Sequence, residues 1–187
     1  EKLILVVTAP KNNEVMEKCV PVWVEQAKNG KGAALMESNV RNMYSDEYYR
    51  KNRWLTCITG KLAVPKDPSR FITMAKACLE HDAFSVLKDI KAPTLIIGGS
   101  EDRTVGSEAS EILAKEIPGA EIFMYEGLRH AVYEEAPDFN KTILDWLTIC
   151  IITLLIYIEG IWSATYLMSL EVVTTSTCTW RVHEDSI

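Results

Sequence analysis

The chain has 187 residues, 48% of them apolar and 25% charged, and a formal net charge of −6. These values suit one globular domain with a sizeable core. The acidic surplus is dispersed and no Lys/Arg stripe occurs, which speaks against nucleic acid as a partner.

The five cysteines, Cys19, Cys57, Cys78, Cys150 and Cys178, are odd in number and widely spaced, with no Cys-x-x-Cys. That pattern fits reduced thiols of a cytoplasmic protein better than a disulfide framework. No Cys/His cluster has ligand spacing, so no metal site is expected.

In chain order, Leu3-Ile4-Leu5-Val6-Val7 is an unbroken, β-branched run of the kind buried on both faces of a parallel sheet. The chain enters this strand abruptly and shows no signal-peptide pattern, which suggests upstream sequence. Met16, Cys19, Val20, Trp23, Val24 and Ala27 recur at helical spacing, with Pro21 predicting a kink or restart and Asn29-Gly30 a stop. A second helix is expected over Ala33–Tyr44, and a third after the N-cap candidate Ser45, running towards Ile58 with Gly60 beyond. Asp67-Pro68 predicts a further helix, with Asp as N-cap and Pro in first position. Residues 12–82 thus form several short helices with no strand between them.

The texture then changes. Pro93–Gly99 is a buried-strand signal ending in glycines. Ser107–Ile117 is a helix closed by Pro118-Gly119, Glu121–Tyr125 a short strand, Gly127–His130 a turn, and Pro137–Leu147 a helix opened by its proline. Strands alternating with helices of about ten residues imply an α/β fold with a parallel sheet. The last forty residues do not match. Thr148–Ile158 is almost wholly apolar, Glu159-Gly160 interrupts it, and Ile161–Leu170 resumes it. The stretch 148–170 is the one place where a membrane contact would be expected, although an atypical hydrophobic tail over 148–187 is the plainer reading.

Two residues carry the chemistry. Asp102 follows the Pro93–Gly99 strand, and His130 follows the next one. In an open parallel sheet ligands bind beyond the carboxyl ends of the strands, so both fall where a site belongs. A histidine titrating near neutrality can take a proton from a nucleophile and return it to a leaving group. A carboxylate on its other ring nitrogen fixes the tautomer and stabilises the imidazolium. Alone, Asp102 fits a helix cap and His130 a structural histidine. Together, in this order at successive strand ends, they favour function. His81 and His183 have no such context.

Strand–Gly98-Gly99-Ser100-Glu101-Asp102–helix–strand–Gly127-x-x-His130–helix resembles the closing segment of α/β-hydrolases, as do Pro93-Thr94-Leu95-Ile96-Ile97-Gly98 and Glu135-Ala136-Pro137-Asp138-Phe139. The esterase, enol-lactonase and haloperoxidase-like branch is the nearest in look. The resemblance implies a partial hydrolase sheet, made of a core strand in 1–11 and the C-terminal core in 83–147, with an inserted helical lid over 12–82. It implies a small ester-like or lactone substrate and a triad in which His130 is base then acid and Asp102 orients it. No cofactor is implied. Trp23, Trp54 and Val105 are candidate pocket residues, with ordinary helix packing as the plainer role for the tryptophans. The chain departs from the family in having no Gly-x-Ser-x-Gly: in Gly98-Gly99-Ser100-Glu101-Asp102, Asp102 stands where the last glycine belongs. The nucleophile and oxyanion loop are therefore absent, and the chain alone is expected to be inactive. Without upstream strands, Leu3–Val7 would expose an edge open to self-association.

Overall fold

The structure is a computed structural model that describes residues 1–62 and 67–148. The chain divides into two units, Glu1–Leu147 and Thr148–Ile187. The first is described below, and the expected tail, including the apolar stretch beyond residue 148, lies outside the described residues.

Among the described residues, three parallel strands make the sheet: β1 (Leu3–Val6), β2 (Thr94–Gly99) and β3 (Glu121–Tyr125), in the order β1-β2-β3. Leu3 pairs with Thr94, and Leu95 with Glu121. β2 is central, and all six of its residues are buried. Its side chains alternate between faces as strand geometry requires. Leu95 and Ile97 join Val7, Tyr125, Val132 and Phe139 on one face, while Ile96 joins Leu87, Leu113 and Ile117 on the other. Burial on both faces is what a crossover-connected parallel strand needs, and explains the unbroken apolar run.

β1 has the open edge expected of it without upstream strands, and is less buried than its apolar run alone suggests. All four of its residues are only half-buried, because β1 is an edge strand of this sheet. It ends at Val7, which takes φ 41°. A β-branched residue in the left-handed region is strained. It is held there by burial and by its N–H donating to the Ile97 carbonyl at 2.8 Å.

Four helices follow: α1 (Glu14–Lys28), α2 (Gly32–Met43), α3 (Asp46–Leu62) and α4 (Ser69–Glu80). The chain leaves and returns at one point. Asn12 N–H donates to the His81 carbonyl, Ala83 N–H donates to the Pro10 carbonyl, and Lys11 bridges Asp82. Pro21 does not break α1, which runs through it; the buried Val20 and Trp23 on either side hold the helix against Ala75 of α4 and Ala109. Asn13 caps α1, its Oδ1 accepting from Val15 and Met16 N–H at 3.0 Å. α3 continues past Ile58 and through Gly60. α4 begins one residue later than expected: Pro68 holds the cap position, while Asp67 Oδ1 accepts from Ser69 N–H at 2.9 Å.

A 3-10 segment, Phe84–Asp89, leads into β2. α5 (Ser107–Glu116) crosses from β2 to β3. A short α6 (Val132–Glu135), not evident in the sequence, directly follows the His130 loop. Pro137 lies in the turn before the next helix, which starts at 139 rather than at the proline.

Candidate active site

Gly98 and Gly99 end β2 because nothing larger fits. A Cβ on Gly98 would overlap Ser110 and Met124, and one on Gly99 would overlap the carbonyl oxygens of Leu128 and Arg129. This close approach brings the loop after β2 onto the loop after β3. Ser100 N–H donates to the Tyr125 carbonyl and Glu101 N–H to that of Leu128, both at 3.0 Å.

Asp102 uses its two oxygens differently. Oδ1 accepts from Thr104 N–H at 2.7 Å and Val105 N–H at 3.0 Å, fixing the loop into α5. Oδ2 lies 2.9 Å from His130 Nδ1. Asp102 does not cap α5, whose cap position is held by Gly106 without a side-chain bond; it ties the turn before that helix while facing the histidine. The Asp102 side chain is 2% exposed and that of His130 19%. A buried carboxylate accepting from Nδ1–H leaves Nε2 as the imidazole's basic atom, the arrangement needed for proton transfer.

Residues flanking His130 reach into the helical excursion, which the sequence did not reveal. The Arg129 side chain is 1% exposed. Its Nη1 donates at 2.8 Å to the carbonyls of both Arg41 and Tyr44, at the C-terminal end of α2. Nη2 sits 2.9 Å from Asp46 Oδ1, an ion pair whose alignment falls short of a hydrogen bond. The guanidinium holds the Asp46 carboxyl below its ordinary range. Ala131 N–H donates to the Met43 carbonyl at 2.8 Å. Ser45 donates through both N–H and Oγ to Glu135, and the Tyr44 hydroxyl donates to Glu134 at 2.6 Å. Burial, and then this carboxylate, push the Tyr44 hydroxyl above its usual pKa.

Two clefts, of about 420 and about 530 Å³, share Asp102 on their walls. Trp23, Cys19, Ser38 and Asn42 line the first, and Val105 the second; His130 borders neither. Trp23 is also packed in the α1 core. Trp54 lies on α3, is 63% exposed and lines neither cleft. Ser100 Oγ accepts from Gly127 N–H at 2.8 Å, a structural bond within the acid's own loop. The Cys19 thiol is within bonding distance of the Thr104 carbonyl at 3.6 Å, and burial pushes its pKa up, which disfavours a thiolate nucleophile. Among the described residues, no group of three His, Cys, Asp or Glu is placed to hold a metal ion. Among them too, no helix is long and apolar enough to cross a membrane.

MGS-M2, an alpha/beta hydrolase enzyme from a Medee basin deep-sea metagenome library, is similar over 76% of this chain and 54% of its own, with a TM-score of 0.70 and 24% identity. The chain has the α/β-hydrolase fold. The enol-lactonase from Burkholderia xenovorans LB400 is similar to this chain over 79% of the chain and 56% of its own length, with a TM-score of 0.67 and 24% identity. In sequence, the segment is 39% identical over 67 residues to the 2-hydroxy-6-oxononadienedioate/2-hydroxy-6-oxononatrienedioate hydrolase 2 of Pseudomonas putida, covering 35% of this chain and 23% of that protein. The chain therefore spans just over half of these solved structures and about a quarter of the curated relative. No protein-family profile matches it.

Proposed function

We propose that this chain carries the acid and histidine of a nucleophile–His–Asp hydrolase acting on a small carboxylic ester, lactone or related carbonyl substrate. The observation that carries the proposal is the 2.9 Å contact between His130 Nδ1 and the buried Asp102 Oδ2, at the carboxyl ends of adjacent parallel strands. His130 Nε2 accepts the nucleophile's proton, the tetrahedral intermediate forms, and the same proton passes to the leaving group. Asp102 remains ionised and stabilises the imidazolium. The names of the similar enol-lactonase and oxononadienedioate hydrolase support a substrate with a carbonyl carbon open to such attack.

The helical excursion 12–82 serves as the lid. Trp23 and Val105 contribute to the pocket beside Asp102, and Trp54, being exposed, would reach substrate only if α3 moved. Gly-x-Ser-x-Gly does not occur in the 187 residues. Nucleophile and oxyanion donors come from residues outside this chain, which is inactive by itself.

Treatment of the chain with a fluorophosphonate, read by intact mass, should give no labelled serine; stoichiometric labelling abolished by His130→Ala would overturn the missing nucleophile. In a polypeptide that also contains the upstream half, His130→Ala should lower ester hydrolysis at least about a thousandfold. An unchanged rate would sink the triad and leave a ligand-binding module.

A further inference from the structure

The last carbonyls of an α-helix have no partner within it. For α2 they are met by the His130 loop. Arg129 Nη1 takes the Arg41 and Tyr44 carbonyls, and Ala131 N–H takes that of Met43. The two neighbours of His130 in sequence are thus the C-terminal cap of a helix that lies some ninety residues earlier in the chain. The guanidinium also places a positive charge where the helix dipole is negative. On its other side the same segment is pinned by Gly99, against which the Arg129 carbonyl packs with no room for a Cβ.

We infer that Arg129 is a positioning residue, which locks the imidazole of His130 to the α2–α3 corner so that the corner's folding and the histidine's orientation rise and fall together. α2 also supplies Ser38 and Asn42 to the cleft beside Asp102. An occupant of that cleft therefore touches the helix whose end holds the histidine. The inference assumes that His130 is the proton-transfer residue, but the coupling itself is tested without catalysis. Failure of one can thus be told from failure of the other.

Arginine is needed rather than any cation, because one nitrogen of its planar fork spans two carbonyls while the other faces Asp46. Amide and histidine C2–H exchange, read by mass spectrometry on the 187-residue chain, tests the coupling. In Arg129→Met, amides at the end of α2, Tyr44 among them, should exchange about tenfold faster. The C2–H exchange of His130 should change in the same sample, while that of His81 and the β2 amides stay as they were. Arg129→Lys should restore part of both effects. It also carries the test if the methionine variant does not fold. Faster exchange in α2 with His130 unmoved would make Arg129 a helix cap and nothing more, and would overturn the inference; so would no change in either.

Discussion

Gly99 and Arg129 meet backbone to backbone: the hydrogen of Gly99 faces the Arg129 carbonyl oxygen where a methyl group would overlap it. The backbone is rigid on both sides, so Gly99→Ala cannot be absorbed by a side-chain swing. It should destabilise the chain by about 2 kcal/mol or more, the cost of overpacking a tight contact. Urea unfolding measures it, and a loss under half a kcal/mol would show that the loops yield more easily than their hydrogen bonds imply.

The divided work of Asp102 predicts that two substitutions part company. Asp102→Asn keeps an oxygen for Thr104 and Val105 N–H and loses the charge facing His130. Stability should move by less than ~1 kcal/mol, while activity in a polypeptide containing the nucleophile falls by about four orders of magnitude. Asp102→Ala should show the same loss of activity together with ~1–2 kcal/mol from the lost turn hydrogen bonds. Thermal melts beside kcat/KM separate the two. Equal melting losses would mean that Oδ1 contributes little to the loop.

Asp46 gives a pH signature. Arg129 lowers its folded pKa, so the pair adds stability above the unfolded aspartate value, near pH 4, and loses it as pH falls through the lower folded value. The difference in urea midpoint between the parent chain and Asp46→Asn should be constant from about pH 5 to 8 and shrink as pH falls below about 4. A difference that grows on acidification would reverse the assignment.

Cys19 is buried and its thiol pKa raised, whereas Cys78 is exposed. Iodoacetamide at pH 8, followed by peptide mapping, should modify Cys78 well before Cys19. The unfolded thiol loses its proton near pH 8.5 and the folded one higher, so Cys19 makes stability fall as pH rises above about 9. Rapid labelling of Cys19 would show that the α1 face opens readily.

Ile97 is fully buried at the centre of β2. Ile97→Ala should cost about 3–4 kcal/mol by urea unfolding, as transfer and cavity terms add. A loss near 1 kcal/mol would mean that the two faces of β2 collapse to fill the space.

What the sequence made legible follows from what is local. β2, α5 and β3 announce themselves through a short apolar run, a helical period and Pro118-Gly119. Asp102 and His130 stand out because each follows a strand with glycines nearby. Pro21 does not restart the helix, because its lost backbone bond is a local cost, outweighed by the burial of Val20 and Trp23 against a helix some fifty residues away. The apolar run of β1 is of the kind buried on both faces, but its burial depends on which strands lie beside it and not on its own residues alone. Arg129 was invisible for the same reason. Nothing around Gly127–Ala131 records that Arg41, Met43 and Tyr44 offer carbonyls there.

The route between β1 and β2 has a kinetic consequence. Leu3 meets Thr94 only after a loop of roughly ninety residues has closed, while β2 meets β3 across α5 alone, and loop-closure entropy and contact order both favour the shorter path. Loop closure thus favours pairing within the β2–α5–β3 unit, with Asp102 and His130 at its rim, ahead of β1. The closing of the helices between, whose two ends meet at Asn12 and His81, shortens the path that β1 has to cover. Of these three strands, the first to be made would be the last to find its place.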